Sequence, residues 1–146
     1  MVVVDTGALL ALIDRDEAHH EVLRAAFDRD RDSWIVPWAV LPEVDYLIAT
    51  KLGSRTHDLW TEDLADGLYP VHWGDDIELS RARQIQRKYK SLKLGLVDTV
   101  VMTVAELLGA SAIATLDLRH FGAVKLQGSP KLLPRDLPGT PEPLNP

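Results

Sequence analysis

Very short apolar runs alternate along this chain with longer stretches whose apolar residues recur every three or four positions. No other feature limits the fold so strongly. Runs such as MVVVD (1–5), WIV (34–36), YPVHW (69–73) and AIAT (112–115) offer little polar alternation for a solvated face, so they suit strands covered on both sides. The intervening stretches carry helical stripes. Ala18, Val22, Ala25 and Ala26 share a face within 17–29, and Val40, Leu41, Val44, Leu47 and Ile48 form a stripe that tolerates Pro42 in its first turn. Leu79, Ala82, Ile85, Tyr89 and Leu92 do the same within 77–92. A last stripe of Val100, Val101, Val104, Ala105 and Leu108 starts near 97 and is stopped by Gly109. Buried strands separated by helices predict an α/β domain, with a central parallel sheet of four to five strands flanked by helices.

Turn residues set the remaining boundaries. Thr6-Gly7 closes the first strand ahead of a short helical stretch at 8–13, and Gly53-Ser54 separates two helices, the second over 55–66. Residues 124–126 are predicted as a weaker fifth strand. Proline then becomes frequent, which predicts one domain over 1–130 and a proline-rich tail over 131–146 with no packed element. A chain of 146 residues can bury roughly 70% of its unfolded surface around one core.

Several functional classes drop out. Without cysteine there is no disulfide, thiolate zinc site or cysteine nucleophile. The chain opens directly on a strand-like run, and no apolar stretch nears the ~20 residues of a membrane helix, so a soluble cytoplasmic protein with no membrane partner is expected. The net charge of −6 gives no global attraction to a polyanion. Its distribution is lopsided, however, because residues 1–78 carry 17 acids against 6 bases and residues 79–146 carry 5 acids against 10 bases. Arg81, Arg83, Arg87, Lys88, Lys90 and Lys93 fall in one stretch without acids, and Arg83, Arg87 and Lys90 line one helical stripe. That stripe suits either a solvated helix face or contact with phosphates.

Asp5, Glu43, Asp98 and Asp117 each stand where an apolar segment gives way to a turn or to the opening of a helix. Each has an ordinary reading. Asp98 and Asp117 could cap helices, and Glu43 could complement a helix dipole. Asp5, after three valines and before Thr-Gly, is harder to explain by local structure alone. In open α/β sheets, sites form outside the carboxyl ends of the strands, which would gather all four acids at one edge. Carboxylates crowded in a cleft cannot all ionise without a counter-charge. Oxygen ligands without Cys or paired His suit Mg²⁺, or Mn²⁺, better than zinc. Such ions activate water and stabilise the leaving oxygen in attack on a phosphodiester, which points to a nucleic acid substrate.

The other chemistry-bearing residues say less. Asp5-Thr6-Gly7 also marks aspartic proteases, but those need a second such motif or a small all-β dimer, and helical sequence follows here. His19 and His20 are adjacent and point about 100° apart on a helix, so they cannot share a metal. His57 and His72 read as structural or solvated, and His120 suits either a place behind the acidic site or local packing. Trp34, Trp38, Trp60 and Trp73 read as core residues.

The segments VVVDTGALLAL, PEVDYLIA, LGLVDTVVMTVAELLG and IATLDLRHF resemble, in order and spacing, the four acidic motifs of PIN-domain ribonucleases. Among these the chain most resembles the VapC-type toxins of toxin–antitoxin pairs, over about residues 1–126. The resemblance implies a PIN-like three-layer fold and a Mg²⁺-dependent endoribonuclease, with Mn²⁺ as a substitute. It makes Asp5, Glu43, Asp98 and Asp117 the acidic site, with Asp5 and Asp98 as direct metal ligands and Thr6 and Thr115 supporting them. It also implies an RNA substrate, a small cognate antitoxin and a homodimer, and for an RNA substrate the charge pattern offers Arg83, Arg87 and Lys90 as backbone contacts. One departure stands out. Relatives usually carry Ser or Asn where this chain has Gly7, which favours the alternative of a catalytically weak PIN-like module that binds protein or RNA.

Overall fold

The computed structural model describes residues 1–139. Five parallel strands form one sheet in the order β3-β2-β1-β4-β5, built from β1 (Val2–Val4), β2 (Trp34–Pro37), β3 (Val71–His72), β4 (Ala112–Ala114) and β5 (Lys131–Leu133). Among the described residues, seven α-helices surround it: α1 (Thr6–Ile13), α2 (His20–Arg29), α3 (Leu41–Lys51), α4 (Ser54–Ala65), α5 (Asp76–Lys88), α6 (Leu96–Leu107) and α7 (Leu118–Phe121). This is the parallel α/β architecture predicted from the alternating pattern. The chain leaves β1 toward β2 on one side, while β4 pairs on the other, so the carboxyl ends of β1 and β4 flank the point where the strand order reverses.

Strands this short are held by burial on both faces. Val3, Val4, Ile113 and Ala114 are at most 1% exposed, and Leu9, Leu12, Val100, Val101 and Met102 cover them at 0–1%. Each fully buried aliphatic side chain contributes about 1.5–3 kcal/mol. An aromatic group closes the far side, where Phe27 meets Trp34 edge to face at 5.5 Å and stacks on Tyr69 at 5.8 Å.

Several boundaries differ from the sequence-based expectation. Helix α1 starts at Thr6 rather than 8, because the Asp5 carbonyl already accepts from Leu9 N–H. Helix α2 starts at His20 rather than 17, because the Glu17 carboxylate bonds the His19 backbone and ring and holds a turn. Helix α5 ends at Lys88, and the rest of the predicted 77–92 helix is a 3₁₀ turn at Lys90–Leu92.

The fifth strand is the largest correction. Residues 124–126 form no strand, and β5 lies instead at Lys131–Leu133, inside the segment expected to be a tail without packed elements. Pro130 and Pro134 flank this strand rather than interrupt it, so Lys131 N–H still reaches Ser111 O and Leu133 O still receives Thr115 N–H. Leu132 and Leu133 are thereby buried to 5% and 8% exposure. Residues 140–146 of the expected tail lie outside the described residues. No helix among the described residues is long and apolar enough to cross a membrane.

Candidate active site

One cavity of about 640 Å³ at the carboxyl edge of the sheet is lined by Asp5, Glu43, Asp98 and Asp117 together. These acids are separated by up to 112 residues in sequence, and four different elements deliver them. Asp5 follows β1, Glu43 lies in the first turn of α3, Asp98 in the first turn of α6, and Asp117 caps α7 just after β4. Thr6 and Gly7, at the start of α1, line the same cavity.

Asp5 is the most deeply placed, at 6% exposure. Its backbone N–H donates to Ala114 O, and the buried Thr115 hydroxyl donates to its Oδ2 at 2.9 Å, so β1 and β4 jointly fix the carboxylate. Thr115 Oγ1 also accepts from Asp117 N–H at 3.0 Å. A single threonine thus ties two of the acids to one framework. Thr6 is also buried, at 7% exposure, and its Oγ1 has no protein partner.

The electrostatics of the cleft are unfavourable as it stands. Burial pushes the Asp5 carboxyl up to about 6, despite bonds from Thr6 N–H and Thr115, and the charges of Asp98 and Asp117 push it further the same way. Burial likewise raises Asp98, helped by Asp117 and opposed by the facing Gly95 N–H and by His120. A cation in this cleft would relieve both effects.

The ordinary readings of the acids hold in part. Asp117 does cap α7, accepting from His120 N–H at 3.1 Å. Asp98 is not an N-cap, since Gly95 holds that position and Asp98 sits three residues into the helix. Glu43 is exposed in the first turn of α3, where its charge complements the helix dipole as well as lining the cavity.

His120 carries more than its sequence position suggested. Its Nδ1 lies 2.8 Å from Asp117 Oδ2, and a ring nitrogen of His120 and carboxylate oxygens of Asp98 and Asp117 lie within 4.8 Å of one another. The only available signal was its spacing, three residues beyond Asp117 and one helical turn away. The other histidines are engaged elsewhere: His57 with Asp45, His72 with Glu78, His20 with Ala11 O and His19 with Glu17.

Arg83, Arg87 and Lys90 are exposed and do not line the cavity. Arg87 and Lys90 stand at the end of α5 and in the turn after it, which leads directly into the start of α6 and Asp98. Arg81 does not belong to a free basic face, because it pairs with Glu106 at 2.8 Å. Trp34 and Trp60 are core residues as expected, whereas Trp73 is 72% exposed. Pro70 and Gly74, the latter at a φ of +69°, confine β3 to two residues and leave Trp73 outside the sheet.

Comparison with known proteins gives a consistent result. A PIN domain family model matches residues 2–125. Ribonuclease VapC26 of Mycobacterium tuberculosis is 32% identical over 124 residues, covering 85% of this chain and 92% of the relative. Among solved structures, VapC20 of M. tuberculosis, described as a sarcin-ricin loop cleaving toxin, aligns with a TM-score of 0.72 at 17% identity, over 86% of this chain and 98% of that one. DNA-bound VapBC from Salmonella typhimurium aligns with a TM-score of 0.68 at 17% identity, over 90% of this chain and 95% of that one.

Proposed function

This chain belongs to the PIN domain family, and on that premise we propose that it is a cytoplasmic, divalent-metal-dependent endoribonuclease, the toxin of a toxin–antitoxin pair. The observation that carries this reading is the single cavity lined by all four acids. The residues fit a hard divalent cation. The donors are carboxylates, burial and mutual repulsion raise two of them, and Thr6, which lines the same cavity, has a buried unpartnered hydroxyl.

In this proposal Asp5 and Asp98 hold Mg²⁺, or Mn²⁺ in its place, and Glu43 and Asp117 complete the shell and orient the attacking water. The ion supplies charge stabilisation on the phosphate and an activated water at neutral pH. Thr115 keeps the Asp5 carboxylate in one orientation, and Thr6 positions water beside it. Arg83, Arg87 and Lys90 steer the RNA backbone toward the cavity, where a charged face raises the local concentration of a polyanion. The partners proposed are the RNA substrate, a small cognate antitoxin that covers the cleft, and a second copy of the chain in a homodimer.

Gly7 favours a second reading, in which a PIN-like module binds RNA or protein with weak catalysis. A Cβ at Gly7 would stand in ordinary contact with Leu116 Cβ at 3.8 Å, so the cavity has room for the polar side chain that this position lacks. Two measurements separate the readings. The purified chain should cut RNA with Mg²⁺ and stop when the metal is chelated, and its induction in cells should produce discrete new RNA ends that disappear when the antitoxin is co-expressed. Intact RNA, with binding unchanged by chelator, would leave the module ahead.

A further inference from the structure

We infer that His120 supplies an imidazole nitrogen to the divalent cation held by Asp98 and Asp117, making a mixed nitrogen–oxygen site that prefers Mn²⁺ to Mg²⁺ more strongly than carboxylates alone would. The inference rests on reading the cleft as a metal site and adds a donor to it. Among the described residues, Asp98, Asp117 and His120 are the one group of three whose potential ligand atoms converge within 4.8 Å. The imidazole is built into the site rather than swinging at its edge. It sits on α7, its side chain is 24% exposed, and its Nδ1 lies 2.8 Å from Asp117 Oδ2. With the proton on Nε2, Nδ1 turns its lone pair toward the space it shares with Asp117 Oδ2, and their separation suits two donors of one cation held ~2.1 Å from each.

Convergence of side chains alone would be weak support, because caps also gather acids. A separate observation points to a ligand in the same cavity. Thr6, which lines it, is 7% exposed, and its Oγ1 is buried without a protein partner. A buried hydroxyl left unbonded is costly unless an ion or its water reaches it. The consequence for selectivity follows from donor softness. Mg²⁺ strongly favours oxygen and dehydrates reluctantly, whereas Mn²⁺ accepts imidazole readily.

The test uses Mn²⁺ as a paramagnetic probe on the full chain. Electron spin echo spectra of Mn²⁺ bound to the parent should show coupling to a directly bound ¹⁴N nucleus, and His120→Gln should remove that coupling while Mn²⁺ remains bound. His120→Gln should also weaken Mn²⁺ binding by about tenfold or more, and Mg²⁺ binding by clearly less. His120→Asn provides the same readings should the Gln variant fail to fold. Mn²⁺ bound without nitrogen coupling, or coupling that survives both substitutions, would overturn the inference and leave the carboxylate site standing. Failure of the parent to bind Mn²⁺ at all would overturn the inference together with the metal reading.

Discussion

Replacing Asp5 by Asn tests whether the acidic cleft carries a charge penalty that only a cation relieves. Burial, followed by the charges of Asp98 and Asp117, lifts the Asp5 carboxyl from its ordinary 3.8 to about 6. That difference of about 2.2 in pK corresponds to about 3 kcal/mol. At 6% exposure, solvent screening does little to reduce it. The sign follows from proton linkage. Between pH 3.8 and about 6 the folded chain holds a proton that the unfolded chain has released, so stability falls as pH rises through that window and stays low above it. Asn carries no such penalty, and its amide oxygen can still accept from the Thr115 hydroxyl. Its amide N–H needs a partner, which offsets part of the gain. In chelator at pH 8, Asp5→Asn should therefore be more stable than the parent by about 1–3 kcal/mol, or about 3–9 °C in Tm. The gap should narrow by about 1.4 kcal/mol at pH 5, where the parent carboxyl is mostly protonated. Thermal unfolding followed by circular dichroism at both pH values measures this directly. Saturating Mg²⁺ should raise the Tm of the parent and barely move that of the variant. A variant that melts below the parent in chelator at pH 8, or a gap equal at both pH values, would refute the reasoning.

Four further outcomes are expected. Asp98→Asn should lower Mg²⁺-dependent RNA cleavage by about 100-fold or more in a single-turnover assay, since it removes an anionic ligand from the ion that stabilises the reacting phosphate. Gly7→Ser should be accommodated, because the added Cβ would stand 3.8 Å from Leu116 Cβ, and should stabilise the chain by about 0.5 kcal/mol in denaturant unfolding while raising the cleavage rate. Glu78→Ala should cost about 2–3 kcal/mol in the same assay, because the buried Glu78 carboxylate accepts from Trp38 Nε1 and pairs with His72. Replacing both Arg87 and Lys90 by Ala should weaken RNA binding and reduce the slope of log affinity against log salt by about 1.4, read by fluorescence anisotropy across a salt series.

The fold was legible wherever burial on both faces left a plain mark. Three valines before Asp5 and the Ala112–Ala114 run show as strands because nothing polar alternates within them. Strand β5 was not legible, since Lys131–Leu133 is a three-residue strand between prolines, held by pairing with β4 on one edge and by Asp136, which bonds Leu132, on the other. Val124 packs in the core without belonging to a strand, so its apolar character pointed to burial but not to conformation. Arg81 read as one of six bases in a stretch without acids, and its ion pair with Glu106, 25 residues away, could not be inferred from spacing.

The same division holds for the site. The order of residues alone determined that four acids stand at the ends of apolar segments, because a carboxylate beside a buried strand is chemically conspicuous in one dimension. It also fixed the family pattern that those four segments share. Only the tertiary structure decided that the acids line one cavity, that Thr115 binds Asp5 from the neighbouring strand, and that His120 joins Asp98 and Asp117. The reason is geometric. Convergence depends on strand order and helix register, which arise from packing among elements far apart in the chain, whereas burial and turn chemistry act between neighbours and so leave their record locally.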